Sequence, residues 1–282
     1  MPSMNDRVWF ITGCSTGFGR ELARAVLDRG YCAVVTARDT EKIEDIVVGH
    51  DEQALVVQLD VTKPWEIKSS VQEAEATFGR IDVLVNNAGV GYFGAVEESD
   101  EREVRNMFEI NFFGLANMTR AVIPGMRKRR SGHIVNISSI GGLTAFPALG
   151  FYNASKFAVE GLSEALAKEV EPLGIKVTVV EPSGFRTDWA GRSANEVQNP
   201  IADYAETAGA NRENIRGYSG SQPGDPARAA AAIIAAVEAP NPPLHLLLGK
   251  AALAGARRKL DALKKDFEAW EETTVAADFP ER

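Results

Sequence analysis

Along most of the chain, short runs of β-branched and apolar residues alternate with longer stretches in which apolar positions recur every three or four residues. The runs at 7–12, 32–37, 54–59, 81–85, 133–138, 176–181 and 244–248 have the length and composition of strands. The stretches at 17–30, 63–78, 101–130, 152–173 and 226–238 have the spacing of helices, and 40–48 has it more weakly. Strands that alternate with helices make right-handed βαβ units on a parallel sheet. The expectation is an α/β fold, a doubly wound sheet of seven parallel strands with helices on both faces.

Two segments break the alternation. Residues 187–224 are rich in Ala, Asn, Gly and Ser, and an insertion of that size after a strand's carboxyl end reads as a mobile lid. Residues past 250 follow the last strand. Leu253, Leu260, Leu263 and Phe267 mark there an amphipathic helix that packs back on the body or on a second subunit. The organisation expected is one domain over 1–250, lid included, and a helical extension over 251–282.

Composition narrows the classes. The chain has 282 residues, 45% hydrophobic and 25% charged, which is ordinary for a globular protein with a sizeable core. Its net charge of −8 repels phosphate backbones, so no nucleic-acid partner is expected. Two cysteines are too few for a disulfide framework. The apolar stretch at 8–11 is too short for a signal-peptide core. No run of about 18 apolar residues occurs. A cytoplasmic protein with no membrane partner is expected. His50, His133 and His245 are far apart in sequence and have no metal-ligand spacing, so no metal is expected. Gly217-Tyr218-Ser219-Gly220 lacks the spacing of a hydrolase elbow. The basic run Arg127-Lys128-Arg129-Arg130 reads as a solvated cap on a helix C-terminus.

Three signals bear chemistry. Thr12-Gly13-Cys14-Ser15-Thr16-Gly17-Phe18-Gly19 lies between the first strand and the first helix, where glycines let a backbone approach a pyrophosphate and a helix N-terminus offers free N–H groups. Asn86-Asn87-Ala88-Gly89 follows the fourth strand, across the switch point from the first. Tyr152 and Lys156 stand four apart on one helix face. An ammonium beside a phenol lowers its pKa from about 10 and suits it to proton transfer near neutral pH. Singly, these also fit a tight turn, an Asn-Gly turn and an exposed helix face. Jointly they fall at strand ends where a Rossmann-type fold binds nucleotides.

On the glycine motif, Asn86–Gly89, Ser139, Tyr152 and Lys156, residues 5–250 resemble the short-chain dehydrogenase/reductase family in its single-domain form. The doubly wound pattern carries the strand order 3-2-1-4-5-6-7, and the resemblance implies the catalytic set Asn111, Ser139, Tyr152 and Lys156. Ser139 would hold the substrate oxygen, with the adjacent Ser138 structural. Tyr152 would pass the proton. Lys156 would bind the nicotinamide ribose and lower the tyrosine pKa. Asn111 would hold a water linking Lys156 to solvent. It implies that Gly13, Ser15, Thr16, Gly17, Phe18 and Gly19 bind the cofactor, with Asp60, Val61, Asn87, Ala88, Gly89, Tyr152 and Lys156. Pro182, Ser183 and Thr187 complete that set, although Ser183 stands where the family often has glycine. Asp60 would meet the adenine edge; it also reads as a cap of the next helix.

The second strand ends Ala37-Arg38-Asp39. NAD-binding relatives tend to have an acid where Ala37 stands, and a guanidinium at 38 can pair with a 2′-phosphate. NADP is therefore expected ahead of NAD, with Asp39 capping the next helix. Thr16 departs from the basic residue that many NADP-preferring relatives have there. The function expected is an NADP(H)-dependent oxidoreductase that interconverts an alcohol and a ketone or aldehyde. A catalytically silent dinucleotide-binding sensor and a non-redox nucleotide-sugar epimerase or dehydratase are the competing readings. Ile140, Leu143, Phe146, Phe151, Phe185 and Trp189, with Phe93 near the mouth, are expected to wall a pocket for a small hydrophobic carbonyl or alcohol substrate. A homodimer or homotetramer is expected to form through the helices at 101–130 and 152–173.

Overall fold

The computed structural model describes residues 7–279. The first six residues of the expected domain and the last three of the expected extension lie outside the described residues. Seven strands form one parallel sheet: β1 (Val8–Ile11), β2 (Cys32–Ala37), β3 (Ala54–Gln58), β4 (Val83–Asn86), β6 (Gly132–Ile137), β7 (Ile175–Pro182) and β9 (His245–Leu248). Two further strands, β5 (Gly91–Phe93) and β8 (Ala194–Glu196), pair with each other. The large sheet runs β3-β2-β1-β4-β6-β7-β9, the expected order once the small pair is set aside. The chain steps outward from β1 to β3, then returns to β4 and steps the other way. The crevice between the carboxyl ends of β1 and β4 is thus the switch point.

Both faces of the sheet are covered, so β1 and β4 are buried along their whole length and read as unbroken apolar runs. One face packs against α1 (Gly17–Asp28) and α7 (Pro226–Glu238) through Leu22, Val26, Ile233 and Ile234. The other packs against α2 (Pro64–Phe78), α4 (Leu115–Arg129) and α5 (Gly150–Val170) through Val71, Met118, Val122 and Leu166.

Four local departures have physical reasons. Residues 40–48 form two 3₁₀ turns, Thr40–Lys42 and Glu44–Ile46, instead of a helix. Only Ile43 and Ile46 are buried there, and a spacing of three matches the 3₁₀ repeat. The stretch 101–130 is α3 (Glu101–Phe108), a π-helical segment (Glu109–Gly114) and then α4. The wide turn coincides with the buried Asn111, whose side chain exchanges two hydrogen bonds with the backbone of Val90. Residues 187–224 are structured, with the 3₁₀ turn Asp188–Ala190, β8, a π-helical turn Ala205–Gly209 and α6 (Ala210–Gly217). The basic run that closes α4 is not merely solvated. Arg129 donates to the Ile81 carbonyl at 2.6 Å and Arg130 to that of Pro172, so both tie the helix end to neighbouring backbone.

After β9, α8 (Lys250–Ala269) packs its first turns through the small residues Ala252, Gly255 and Ala256, and α9 (Glu271–Val275) follows it. No helix among the described residues is long and apolar enough to cross a membrane.

Candidate active site

A cavity of about 1000 Å³ lies over the carboxyl ends of the strands. On one side it is shaped by the turn after β1. Gly13 has φ +71°, and a Cβ there would lie 2.9 Å from the Ala88 Cα. A Cβ at Gly19 would lie 2.4 Å from Asn87 Nδ2 and 2.5 Å from the Gly13 carbonyl oxygen. Only glycine lets the two loops close to this distance. Asn87 holds them shut: its Nδ2 donates to the carbonyls of Thr12 and Gly13, both at 2.9 Å. The Thr12 hydroxyl in turn accepts from the N–H groups of Asn87 and Ala88 at 2.9 and 3.0 Å.

Ser15, Thr16, Gly17 and Phe18 line the cavity where α1 begins. The Thr16 side chain makes no capping bond, and the first turn contains no acid. Its N–H groups and the positive end of the helix dipole are left for an anion. This cradle fits the pyrophosphate of a dinucleotide, and a side chain at Gly13 or Gly19 would push apart the loops that shape it.

Farther along this side, Ala37, Arg38, Asp60 and Val61 line the cavity. Arg38 is exposed and, among the described residues, makes no hydrogen bond or ion pair. Asp39 does not cap the next turn with its side chain; its carboxylate pairs with Lys42 at 2.9 Å. Asp60 does not cap α2 either, because that position belongs to Lys63. Its Oδ1 instead accepts from the Thr62 backbone at 3.0 Å and hydroxyl at 2.7 Å. Burial pushes the Asp60 carboxyl up, but these bonds and the charges of Lys63 and Arg38 outweigh it and hold it below the usual range.

The opposite side carries the proton-bearing groups. Ser139 follows β6 and caps a 3₁₀ turn (Ile140–Gly142), its hydroxyl accepting from the Gly141 N–H at 3.0 Å. A Cβ on Gly141 would lie 3.3 Å from Ser139 Oγ and 3.4 Å from Tyr152 Cε1, so the two side chains converge on one point. Burial pushes the Tyr152 phenol up to about 12, partly offset by the Ser139 hydroxyl. Lys156 lies one turn on, its Nζ 5.8 Å from the tyrosine ring centroid and 2.9 Å from the Ile137 carbonyl. Burial lowers this ammonium to about 8, against the charge of Glu160. In this arrangement the ammonium points at a backbone carbonyl, and burial dominates the phenol.

Asn111 stands behind Gly89, outside the cavity wall. A Cβ on Gly89 would lie 3.3 Å from Asn111 Oδ1 and 3.7 Å from Lys156 Nζ. Its Nδ2 also donates to Ser155 Oγ at 3.2 Å, which fixes the π-helical segment to α5. Gly19 is likewise outside the wall, acting through its contact with Gly13. The other residues expected from the sequence at the cofactor or catalytic site line the cavity.

Ser183, in the place of a family glycine, is accommodated by β9. Its N–H and hydroxyl donate to the Leu248 carbonyl at 3.0 and 3.3 Å, and a Cβ on Gly249 would lie only 2.4 Å from the hydroxyl. Thr187 caps the 3₁₀ turn that carries Trp189 and sits against Gly17.

Ile140, Phe146, Phe185 and Trp189 wall the cavity, as expected. Leu143 does not; it packs behind Ile140 against α8. Phe151 and Phe93 belong to the small core under β5, and Phe93 is fully buried instead of standing near the mouth. Both face the packed side of their elements, which periodicity alone does not distinguish from the cavity side.

Three positions were not legible as a group. Glu160 on α5, Glu181 on β7 and His245 on β9 meet beneath Lys156, their ligand atoms within 4.8 Å of one another. His245 Nδ1 is 2.7 Å from Glu181 Oε1 and 3.8 Å from Glu160 Oε2. Both oxygens of Glu160, Oε2 of Glu181 and the neighbouring Ser138 hydroxyl have no hydrogen-bond partner among the described residues. Burial, helped by the nearby charge of Glu181, pushes Glu160 up to about 7. Only the meeting of three elements creates the cluster, so no local signal could have found it.

The family model for short chain dehydrogenases matches residues 7–198. The chain belongs to the short-chain dehydrogenase family. It therefore stands among oxidoreductases, and its relatives bear this out. It is 39% identical over 272 residues to the oxidoreductase BOA17 of Botryotinia fuckeliana, covering 96% of this chain and 99% of that one. It is 44% identical over 206 residues to a 3-ketodihydrosphingosine reductase of Bacteroides thetaiotaomicron, 72% of this chain and 74% of the relative. A short-chain dehydrogenase from Streptomyces avermitilis superposes with a TM-score of 0.92 at 44% identity, covering 98% of this chain and 100% of that one. A family structure from Burkholderia phymatum, solved with NAD, gives 0.82 at 26% identity over 94% of this chain and 97% of that one. A metagenomic short-chain oxidoreductase solved with NADP gives 0.60 at 33% identity over 64% of this chain and 83% of that one.

Proposed function

We propose that this short-chain dehydrogenase uses NADP(H) to interconvert a hydrophobic alcohol and its ketone or aldehyde, with Tyr152 moving the proton. The observation that carries the reading is that Ser139 Oγ and the Tyr152 ring lie close together and line the same cavity as the glycine cradle. The NAD and NADP complexes of the two similar structures support a nicotinamide dinucleotide, and the reductase from Bacteroides thetaiotaomicron supports a lipid-like ketone. Arg38 after Ala37 favours NADP, since an unpaired guanidinium can hold a 2′-phosphate.

The cradle at Gly13, Ser15, Thr16, Gly17 and Phe18 would hold the pyrophosphate, Arg38 and Asp60 the adenosine, and Asn87, Ala88, Gly89, Pro182, Ser183 and Thr187 the nicotinamide half. A bound nicotinamide supplies or receives the hydride. In the direction of reduction, Tyr152 donates its phenolic proton to the carbonyl oxygen while the Ser139 hydroxyl stabilises the developing negative charge, a contribution of about 3 kcal/mol. A phenol with its pKa near 12 is fully protonated at neutral pH and ready to donate. Lys156 assists its ionisation once its ammonium turns from the Ile137 carbonyl towards the site. Asn111 holds the Val90 loop and a water that reaches Lys156. Residues 187–224 act as the lid, and the protein works in the cytoplasm as a homo-oligomer.

The test is Tyr152→Phe, which removes the hydroxyl and keeps the ring. NADPH consumption over a panel of ketones and aldehydes should fall at least about 100-fold. Cofactor affinity should hardly change. Near-normal turnover in this variant would exclude the mechanism.

A further inference from the structure

The α8 helix follows β9, at the edge of the sheet opposite β3. Its small residues let it close on the cavity: a Cβ on Gly255 would lie 3.3 Å from Ile140, the residue after Ser139. One turn farther along, Arg258 and Lys259 line the same cavity. Among the described residues neither makes a hydrogen bond or an ion pair. The acids of the cavity wall are already engaged. Asp60 accepts from Thr62 at 2.7 Å, Glu103 accepts from the Asn195 amide at 2.8 Å, and Asp188 pairs with Arg192. Two uncompensated cations therefore stand at the mouth of a cavity in a protein of net charge −8.

The phosphates of the dinucleotide are not their partner. Its cradle lies at the β1–α1 turn and its candidate phosphate contact at Arg38 after β2, both on the β3 side of the sheet. Apolar surface reaches from both ends: Ile140 lies against Gly255 of α8, Trp189 lies 4.9 Å from the Tyr152 ring, and Phe146 and Leu149 line the same cavity. We propose that the substrate has a carbonyl or alcohol at one end of an apolar body and an anionic group, carboxylate or phosphate, at the other, which Arg258 and Lys259 receive. The inference rests on the proposed oxidoreductase reading and names its substrate class. The apolar body fills the middle of the cavity, and the anion at the rim fixes how deep the carbonyl lies against Ser139.

The test compares aryl ketones bearing a terminal carboxylate on tails of increasing length with their methyl esters and with phosphate-terminated analogues. At the tail length that spans the cavity, the acid should have kcat/KM about five- to tenfold above its ester, as expected for two partly exposed charge contacts. The gain should shrink as salt is raised, because exposed charges are screened. Arg258→Ala/Lys259→Ala should lower kcat/KM for the acid to that of the ester and leave the ester unchanged. Arg258→Glu should take the acid below the ester. The better of the carboxylate and phosphate series identifies the anion. Esters turned over as well as acids at every tail length would overturn the proposal, as would an acid preference that survives the double variant. Failure to turn over any carbonyl compound with either cofactor would instead remove the underlying functional reading.

Discussion

At Ala37 and Arg38 the choice between two cofactors reduces to one charge. No carboxylate stands at the end of β2 to accept from ribose hydroxyls, and the Arg38 guanidinium is exposed beside the cavity. A charge-assisted contact to a 2′-phosphate contributes about 1.5–3 kcal/mol, or one to two powers of ten in affinity. Arg38→Leu should weaken NADPH binding by that factor and leave NADH nearly unchanged, read as dissociation constants at fixed ionic strength. Equal loss of both cofactors would show that Arg38 does not read the phosphate. Glu160 is where pH acts on the fold. Its carboxyl is raised by burial from 4.5 to about 7, so it binds its proton more tightly folded than unfolded. That stabilisation is complete below the unfolded pKa and is lost as the pH rises through the folded one. Glu181, also raised by burial, acts in the same direction. The thermal midpoint should therefore fall as the pH rises from about 4.5 to 7, and Glu160→Gln should flatten the fall, gaining about 1–3 kcal/mol over the native protein at pH 8. Thermal denaturation across this range decides it; a variant whose midpoint parallels the native protein at every pH would exclude Glu160 as the titrating group.

Among the elements, the region 187–224 shows how a segment without periodicity is held. Arg216 on α6 donates to the carbonyls of Ala190, Gly191 and Ala194 at 3.0, 2.6 and 2.8 Å and stacks 4.7 Å from the Phe93 ring. One guanidinium satisfies three loop carbonyls, so its loss frees the segment without touching the sheet. Arg216→Ala should make limited proteolysis within 187–224 several-fold faster, with a stability loss of about 1–3 kcal/mol. Saturating NADPH should slow the cleavage of the native chain. Equal cleavage with and without cofactor would count against a lid. The same region marks where sequence patterning runs out. The central strands of the large sheet are legible because burial on both faces makes them unbroken apolar runs. The strands β5 and β8 have three residues each and lie about a hundred positions apart, too short to alternate and too distant to pair by eye. The π-helical turn at Glu109–Gly114 is invisible for another reason: it exists to bring Asn111 to the Val90 backbone, a tertiary demand that helical periodicity does not encode.

At the scale of the whole molecule, the site was legible where topology concentrates it. Gly13, Asn87, Ser139 and Tyr152 follow strands whose order the alternation of elements already implied, so their convergence could be expected. Glu160, Glu181 and His245 join across a helix and two strands with no shared motif, and Arg258 and Lys259 reach the cavity only through the packing of α8. The remaining expectation at this scale is assembly. Phe113 in the π-helical segment and Phe157 on α5 are 47% and 43% exposed. These two elements are packed together through the Asn111–Ser155 bond, and both belong to the helices expected to pair. Aromatics are enriched at the cores of protein interfaces, and an apolar patch on the surface is a candidate association site. An isologous interface would bury each ring twice, once per copy, so a charge introduced there is doubled at the contact. Phe113→Asp/Phe157→Asp should therefore convert a dimer or tetramer to monomer in sedimentation velocity while leaving the thermal midpoint of the monomer fold close to native. Unchanged sedimentation of the double variant, or a native protein that is already monomeric at micromolar concentration, would assign the two rings to plain surface and remove these helices as the route to assembly.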